Sequence, residues 1–279
     1  MTTPEVYDLH CHSKASDGAL SATELVQRAQ QQGVTHLALT DHDTVGGLDE
    51  ARHCAQACGI QFINGIELST TWKGHCFHVV GLGIDPGNPG LLAALQSLQA
   101  TRDSRAEKIA DKLAKKRIPG ALEYVQKLAK PGMITRTHFA DFLVAQHHVD
   151  THQEAFDRYL AKGKPAYVAT EWAELAQAIS WIKGAGGVAV LAHPLRYKLT
   201  AAWMKRLLAT FKEAGGQAME VIVSRMNADE LKLVTQYALL FELAGSVGSD
   251  FHSPNNPWVE LGRLPPLPEK IRPVWKLLD

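Results

Sequence analysis

The stretch Val6-Tyr7-Asp8-Leu9-His10-Cys11-His12-Ser13 reads as a strand that delivers two imidazoles in one direction. Side chains alternate across a strand, so His10 and His12 share a face and aim at one point, as ligands of one metal ion must. Cys11 then points the other way, into the packing layer. A His-x-His pair alone arises often by chance, so its meaning depends on the other polar residues of the chain and where they fall.

Working outward, Ser16-Asp17-Gly18 makes a turn, and Ser21-Ala22-Thr23-Glu24 has the capping-box spacing that starts a helix ended by Gly33. A short apolar strand, Thr35 to Thr40, runs into Asp41-His42-Asp43 and is followed by a helix from Leu48 to Cys58. Gln61 to Leu68 and Cys76 to Leu82 read as the next strands, with Thr71-Trp72-Lys73-Gly74 a turn between them. From Leu91 to about Leu160 the pattern is helical, with segments at Leu91–Lys116, Leu122–Ala129, Thr137–Ala145 and His152–Ala161. Alternation resumes with a helix from Trp172 to Ala185 and the apolar strand Gly187 to Ala192. A helix from Ala201 to Ala214, a strand from Ala218 to Val223, a helix from Ala228 to Leu243 and a strand from Ser246 to Ser249 complete the alternation. The proline-rich tail is expected to be irregular and to wrap the body, Trp258 covering the barrel or stacking on a base.

Repeated strand–helix units with short, fully apolar strands predict an α/β fold with a parallel sheet, and about seven units predict a closed or nearly closed barrel. The expected division is residues 1–90 and 165–279 for the barrel and 91–164 for a helical insertion covering the active site. Barrel chemistry sits at the C-terminal ends of strands. The polar residues obey that rule: His10 and His12 close the first strand, His42 the second and Glu67 the third. His78 lies in the fourth, His193 closes a later strand, and Asp250-Phe251-His252 closes the last. Pro194 biases His193 toward an extended backbone. Asp17 falls in the loop at the same rim.

Composition narrows the classes. With 29 basic and 29 acidic residues, no global field recruits duplex nucleic acid or an anionic membrane. Four cysteines without a CxxC pair, Cys11, Cys54, Cys58 and Cys76, suggest reduced thiols in a cytoplasmic protein, a single disulfide remaining the alternative. No apolar run reaches membrane length, and nothing points to an obligate protein partner. Histidine, at 13, is the outlier. His10, His12, Asp17, His42, Glu67, His78, His193, Asp250 and His252 are too many ligands for one tetrahedral ion and fit two or three. Mixed nitrogen and oxygen ligation without thiolates favours Mn²⁺, Zn²⁺ or Fe²⁺ over Ca²⁺ or Mg²⁺.

The ordered motifs Asp8-Leu9-His10-Cys11-His12-Ser13, Ser16-Asp17-Gly18, Thr40-Asp41-His42-Asp43, Gly65-Ile66-Glu67, Ala192-His193-Pro194 and Ser249-Asp250-Phe251-His252 resemble those of the PHP (polymerase and histidinol phosphatase) superfamily. The resemblance implies a distorted seven-unit β/α barrel with a trinuclear site. One ion would take His10, His12, Glu67 and Asp250, a second Glu67, His78 and His193, and a third Asp17, His42 and His252. Several family members carry histidine at the position of Asp17, and aspartate there shifts the expected metal from zinc toward manganese. Within the superfamily, the helical insertion and Thr135-Arg136-Thr137-His138-Phe139-Ala140 resemble the branch of nucleoside 3′,5′-bisphosphate phosphatases related to an RNase AM type of 5′-3′ exoribonuclease.

Phosphate recognition needs guanidinium or ammonium groups near the metals. Arg102 stands on the apolar stripe of the first insertion helix where a leucine is expected, and wants either an anionic substrate or a structural carboxylate. Between Thr101 and Arg136 ten Lys/Arg face four Asp/Glu, mostly as a solvated face. Arg136, Arg196, Lys164 and His138 are the other candidates for substrate contact. Paired cations would lower the pKa of a bridging water and supply hydroxide for in-line attack at phosphorus, with Glu67, Asp250 and His193 at the catalytic centre. The expected substrate is a small nucleotide such as a nucleoside 3′,5′-bisphosphate, or a short 5′-phosphorylated oligoribonucleotide. A barrel amidohydrolase cleaving C–N bonds is the enzymatic alternative, but no lysine stands at a strand end to be carboxylated. A non-catalytic metal-stabilised module of a larger assembly is the third.

Overall fold

The computed structural model describes residues 5–130 and 132–278. Eight strands form one sheet: β1 (Tyr7–Asp8), β2 (His36–Leu39), β3 (Gln61–Trp72), β4 (His75–Leu82), β5 (Ala173–Glu174), β6 (Val188–Leu191), β7 (Ala218–Val223) and β8 (Ala244–Gly248). Their order is β1-β2-β3-β4-β6-β7-β8, with β5 appended to β3. The first and last strands meet through Leu9 N–H to Val247 O at 3.0 Å, Asp250 N–H to His10 O at 2.8 Å and a bridge between Cys11 and Phe251, so the sheet is a nearly closed barrel. That bridge also keeps the chain extended past β1, through His10 to His12.

The sheet is not wholly parallel as the strand–helix alternation suggests. β4 runs antiparallel to both β3 and β6. The turn between β3 and β4 holds Lys73 and Gly74 at φ of 49° and 73°, two left-handed central residues of the kind that close a two-residue hairpin. A connection this short cannot make a parallel crossover. β3 also continues past Glu67 to Trp72, so Glu67 sits within the strand and not at its end. The helix expected from Trp172 begins only at Leu175, because Ala173 and Glu174 pair instead with Thr70 and Thr71 on that β3 extension.

Helices α1 (Ala22–Gln31), α2 (Leu48–Cys58), α7 (Leu175–Gly184), α8 (Ala201–Glu213) and α9 (Ala228–Leu240) accompany the strands. Their starts are chemically specified: Ser21 with Glu24 and Asn227 with Glu230 each form a reciprocal capping box. Helix α2 ends on Gly59 at φ 70°, a left-handed cap that glycine adopts without a Cβ penalty. Leu25, Leu37, Ile66, Ile179, Leu207 and their neighbours fill the layer between sheet and helices. The barrel interior is a smaller cluster of alternate residues, including Leu9, Ala38, Val80, Val190 and Ala218, plugged by Val274 of the tail. The tail thus seals the barrel's lower end, with Trp275 stacked on Tyr7 at 4.0 Å. The polar rim lies at the other end.

Between β4 and β5 the described elements are helices: α3 (Pro89–Lys115), α4 (Ala121–Leu128), α5 (Arg136–Ala145) and α6 (His152–Ala155), which runs into a wider turn over Phe156–Leu160. They enclose their own apolar cluster around Ile109, Leu113, Val125, Phe139 and Leu143. Helix α3 belongs to both cores, with Leu91, Leu95 and Leu98 in the barrel layer and Ala106, Ile109 and Leu113 in the second. No described helix is long and apolar enough to cross a membrane.

Candidate metal centre

The upper rim gathers six histidines and three carboxylates. His10 and His12 leave β1 on the same face, Asp17 follows in the first loop and His42 follows β2. His193 follows β6, and Asp250 and His252 follow β8. His78 lies near the start of β4, and because that strand runs the other way its beginning is at the rim. All nine residues named from the sequence are brought together.

The nearest atoms define the chemistry. His10 Nε2 and His12 Nε2 are 3.1 Å apart, and each lies 3.3 Å from Glu67 Oε2. Asp250 Oδ1 is 3.5 Å from the first nitrogen and 3.2 Å from the second. The carboxylate of Glu220 fixes the proton of His10 on Nδ1, 2.6 Å away, so His10 Nε2 carries a lone pair. In the neutral ring that lone pair converges with carboxylate oxygens and another ring nitrogen, so the cluster requires positive charge among them: against burial, Glu220, Glu67 and Asp250 raise His10 well above its ordinary value in the free protein, and a metal ion would take the proton's place. Donors held about 2.1 Å from one tetrahedral ion are roughly 3.4 Å apart, close to the observed edges. Glu67 Oε2 and His42 Nδ1, 3.0 Å apart but misaligned for a hydrogen bond, and His193 Nδ1 are buried with no hydrogen-bond partner among the described residues, a cost that coordination would remove for the first two. The residues therefore fit a metal.

Two further groupings adjoin the first. Glu67 Oε1 lies 3.0 Å from His78 Nδ1 and 3.1 Å from His193 Nε2, while Glu67 Oε2 lies 3.0 Å from His42 Nδ1. Asp17 Oδ1 is 3.4 Å from His252 Nε2 and 3.9 Å from His42 Nε2. Glu67 thus offers its two oxygens to two neighbouring sites. Burial opposes every charge here, yet the imidazoles hold Glu67, Asp17 and Asp250 well below the usual carboxylate range. Two rings respond conversely: against burial, Glu67 and Cys76 lift His78 to about 10, and Asp17 and Asp250 lift His252 to about 10, whereas burial outweighs Glu67 and Asp17 at His42 and pushes it down to about 4.

Several supporting residues escaped the sequence reading. Glu220, buried within the apolar run of β7, binds His10 with one oxygen and the backbone N–H of His193 at 2.5 Å with the other. A glutamate inside Ala218-Met219-Glu220-Val221-Ile222-Val223 was the available signal, since a buried charge needs a partner. The flanking aspartates of Asp41-His42-Asp43 are braces: Asp41 accepts from Ser13 N–H and from Ser13 and Ser16 hydroxyls, and Asp43 accepts from Ser69 N–H at 2.7 Å. His193 is not extended as Pro194 suggests. Its φ of 29° and ψ of 57° place it in the left-handed region, a conformation held by the Glu220 contact and by the turn at Pro194–Tyr197, whose Tyr197 hydroxyl accepts from His78 N–H. Cys11 turns away from the rim and donates to Ala38 O, and all four cysteines are free.

The candidate substrate contacts separate. Arg102 is buried and donates from Nε at 2.8 Å and from its terminal nitrogen at 2.5 Å to Asp43, and to Ser69 at 3.0 Å. Its anionic partner is a structural carboxylate. Arg105, one helical turn on, was passed over although it follows the same stripe: its Nε is buried and unpartnered. Burial, then Arg136 and Arg102, push it down to about 9. Arg105 and Arg136 both act on the Cys76 thiol, which hydrogen-bonds His78. Arg196 pairs with Asp250. His138 accepts Thr135 N–H on Nδ1, which leaves its proton on Nε2, and it lines the cleft above the rim. Lys164 sits in an exposed turn and is not among the residues lining that cleft. Trp258 does not cover the barrel; it is 73% exposed.

A nearly closed β/α barrel with a cluster of histidines and carboxylates on one rim defines a class of metal-dependent hydrolase scaffold. Residues 8–222 match the PHP domain, and the chain belongs to that family. It is 48% identical over 97% of its length to a 5′-3′ exoribonuclease of Haemophilus influenzae, covering 98% of that protein. It is 43% identical to a 3′,5′-nucleoside bisphosphate phosphatase of Chromobacterium violaceum, over 98% of this chain and 96% of the other. Among solved structures, a Chromobacterium violaceum protein described as an amidohydrolase with bound sulfate and no metal superposes with a TM-score of 0.92 at 43% identity, over 97% of this chain and 95% of that one. A Bifidobacterium adolescentis protein described as a metal-dependent phosphoesterase gives 0.84 at 26% identity, over 99% and 96%.

Proposed function

We propose that this PHP-family chain, a metal-dependent phosphoester hydrolase, removes the 3′-phosphate of nucleoside 3′,5′-bisphosphates and, by the same cut at phosphorus, releases 5′-nucleotides from short 5′-phosphorylated RNA. The observation that carries the reading is the presence, beside a convergent cluster of histidines and carboxylates, of two guanidiniums, Arg105 and Arg136, for which no described residue supplies a carboxylate. One end of the site calls for cations and the other for an anion, as a doubly phosphorylated nucleotide requires.

His10, His12, Glu67 and Asp250 would hold one divalent ion, Glu67, His78 and His193 a second, and Asp17, His42 and His252 a third, with Mn²⁺ the expected metal. When bound, such ions supply the Lewis acidity that activates water at neutral pH and neutralises charge on the phosphoryl oxygens. Arg105 and Arg136 would bind the 5′-phosphate and set the distance to the scissile ester, and Arg196 would orient Asp250 while facing the cleft. His138, neutral and with its proton on Nε2, is placed to donate to the substrate. The C–N hydrolase alternative would want a lysine at a strand end, and the nine residues gathered at the rim are histidines and carboxylates only.

Side-by-side turnover of adenosine 3′,5′-bisphosphate and a 5′-phosphorylated dinucleotide with added Mn²⁺ tests the reading. Phosphate release from the first is expected, and its loss by about 10³-fold or more in His193→Ala or Asp250→Ala. Undiminished turnover by metal-stripped protein would refute it.

A further inference from the structure

The cleft above the rim measures about 1400 Å³, larger than the roughly 300–1,000 Å³ that encloses a small ligand. It runs between the barrel loops and the inner wall of α4 and α5, and Asp17, His193, Asp250 and His252 form part of its floor. Arg105 and Arg136 are not among its lining residues. Both act electrostatically on Cys76, which hydrogen-bonds His78, and His78, like the two arginines, lies outside the cleft lining, whereas Asp17, His193, Asp250 and His252 line it.

The charges in the cleft are unequally satisfied. Its carboxylates outside the ligand cluster are engaged within the protein: Glu50 accepts from Thr23 N–H, Glu230 caps α9 and Asp141 pairs with His152. Three of its cations, Lys130, Lys198 and Arg225, have neither an ion pair nor a side-chain hydrogen bond among the described residues. Lys198 and Arg225 stand on the loops after β6 and β7, both in left-handed backbone at φ 51° and 66°, on the sector that also carries His193. Unpaired cations spaced along an open groove match the phosphates of a single strand, since polyanion binding rests on such contacts.

On the phosphoester-hydrolase reading above, we infer that this cleft is the exit track of a single-stranded ribonucleotide: the 5′-phosphate lies at Arg105 and Arg136, the scissile ester at the ligand cluster, and the chain 3′ of the cut runs out over Lys198 and Arg225. A bisphosphate nucleotide ends at the cluster and never reaches the track. The two substrates therefore share one reaction and differ only in contacts beyond it.

The test compares wild type with a Lys198→Ala/Arg225→Ala double variant on adenosine 3′,5′-bisphosphate and on a 5′-phosphorylated pentaribonucleotide. The variant is expected to keep kcat/KM for the bisphosphate within about twofold, while kcat/KM for the pentanucleotide falls roughly tenfold. The slope of log KM against log salt should become shallower by about 1.4, the value for two lost single-strand phosphate contacts. Equal loss on both substrates, no loss on the pentanucleotide, or a wild type that turns over the bisphosphate but no oligonucleotide would each overturn the track. A wild type inert toward the bisphosphate would instead remove the underlying reading.

Discussion

Arg102 and Arg105 stand one turn apart on α3 and meet opposite circumstances. Arg102 is neutralised by Asp43, whose carboxylate is itself buried. Removing it strands that charge, so Arg102→Ala should destabilise the fold by about 3 kcal/mol, read as a drop in the urea midpoint with an unchanged m-value. Arg105 has no such partner, and its burial next to two other guanidiniums is a cost the ligand-free protein carries. Arg105→Met should therefore stabilise the free protein by on the order of 1 kcal/mol while abolishing the rise in melting temperature expected when inorganic phosphate is added to wild type. The apolar stripe made Arg102 conspicuous in the sequence, but a stripe reports burial and not what the buried charge touches. The residue with the unmet need was its neighbour. Glu220 teaches the same point: its position in an apolar run was visible, yet its partners, His10 and the His193 amide, lie 210 and 27 residues away. Glu220→Gln should weaken metal affinity about 10-fold or more, measured by titration calorimetry, because it loosens the His10 tautomer without removing a ligand.

Among the elements, helices were legible nearly to the residue wherever a cap was written into the chain, as at Ser21, Gly59 and Asn227. Strand direction was less so. Alternation in β4 is the same read forward or backward, and only the two-residue turn at Lys73-Gly74 carries the information that the strand must return antiparallel. The two-residue β5 has too little sequence to show a period, and exists because the β3 extension offers it an edge. Within the insertion, α5 and α6 are tied by His152 Nε2 to Asp141 Oδ1 at 2.8 Å, and that bond, against burial, raises the imidazole above its ordinary value. A raised folded-state pKa means stabilisation that is full below the unfolded value of about 6.5 and is lost as pH rises through the folded one. His152→Gln should lower stability at pH 5.5 by no more than about 0.5 kcal/mol, since solvent screens the pair, and leave it unchanged at pH 9. Equal losses at both pH values would mean that packing, not charge, holds the two helices together.

For the whole molecule, the barrel is closed on one side by Trp275 and Val274 and opened on the other by nine converging histidines and carboxylates, so its two ends are stabilised by different physics. The lower plug is apolar and indifferent to metal. The upper rim concentrates carboxylates whose charge protonated imidazoles balance when no metal is bound, and it joins β1, β2, β3, β4, β6 and β8 through Glu67 and its neighbours. Ions that bind the folded rim and not the unfolded chain stabilise by mass action, about 2.7 kcal/mol at a free concentration one hundred times Kd. In a chain of this size each kcal/mol moves the melting temperature by roughly 2–4 °C. Chelation should therefore lower Tm by about 5–10 °C, and Mn²⁺ should restore it, as followed by calorimetry. Glu67→Gln should blunt that response, because it weakens the one carboxylate shared between groupings, whereas Trp275→Ala should lower Tm and leave the Mn²⁺-induced shift intact. If chelation left Tm unmoved while the Trp275 variant melted early, the apolar plug alone would hold the barrel, and the rim's ligands would contribute binding without supporting the fold.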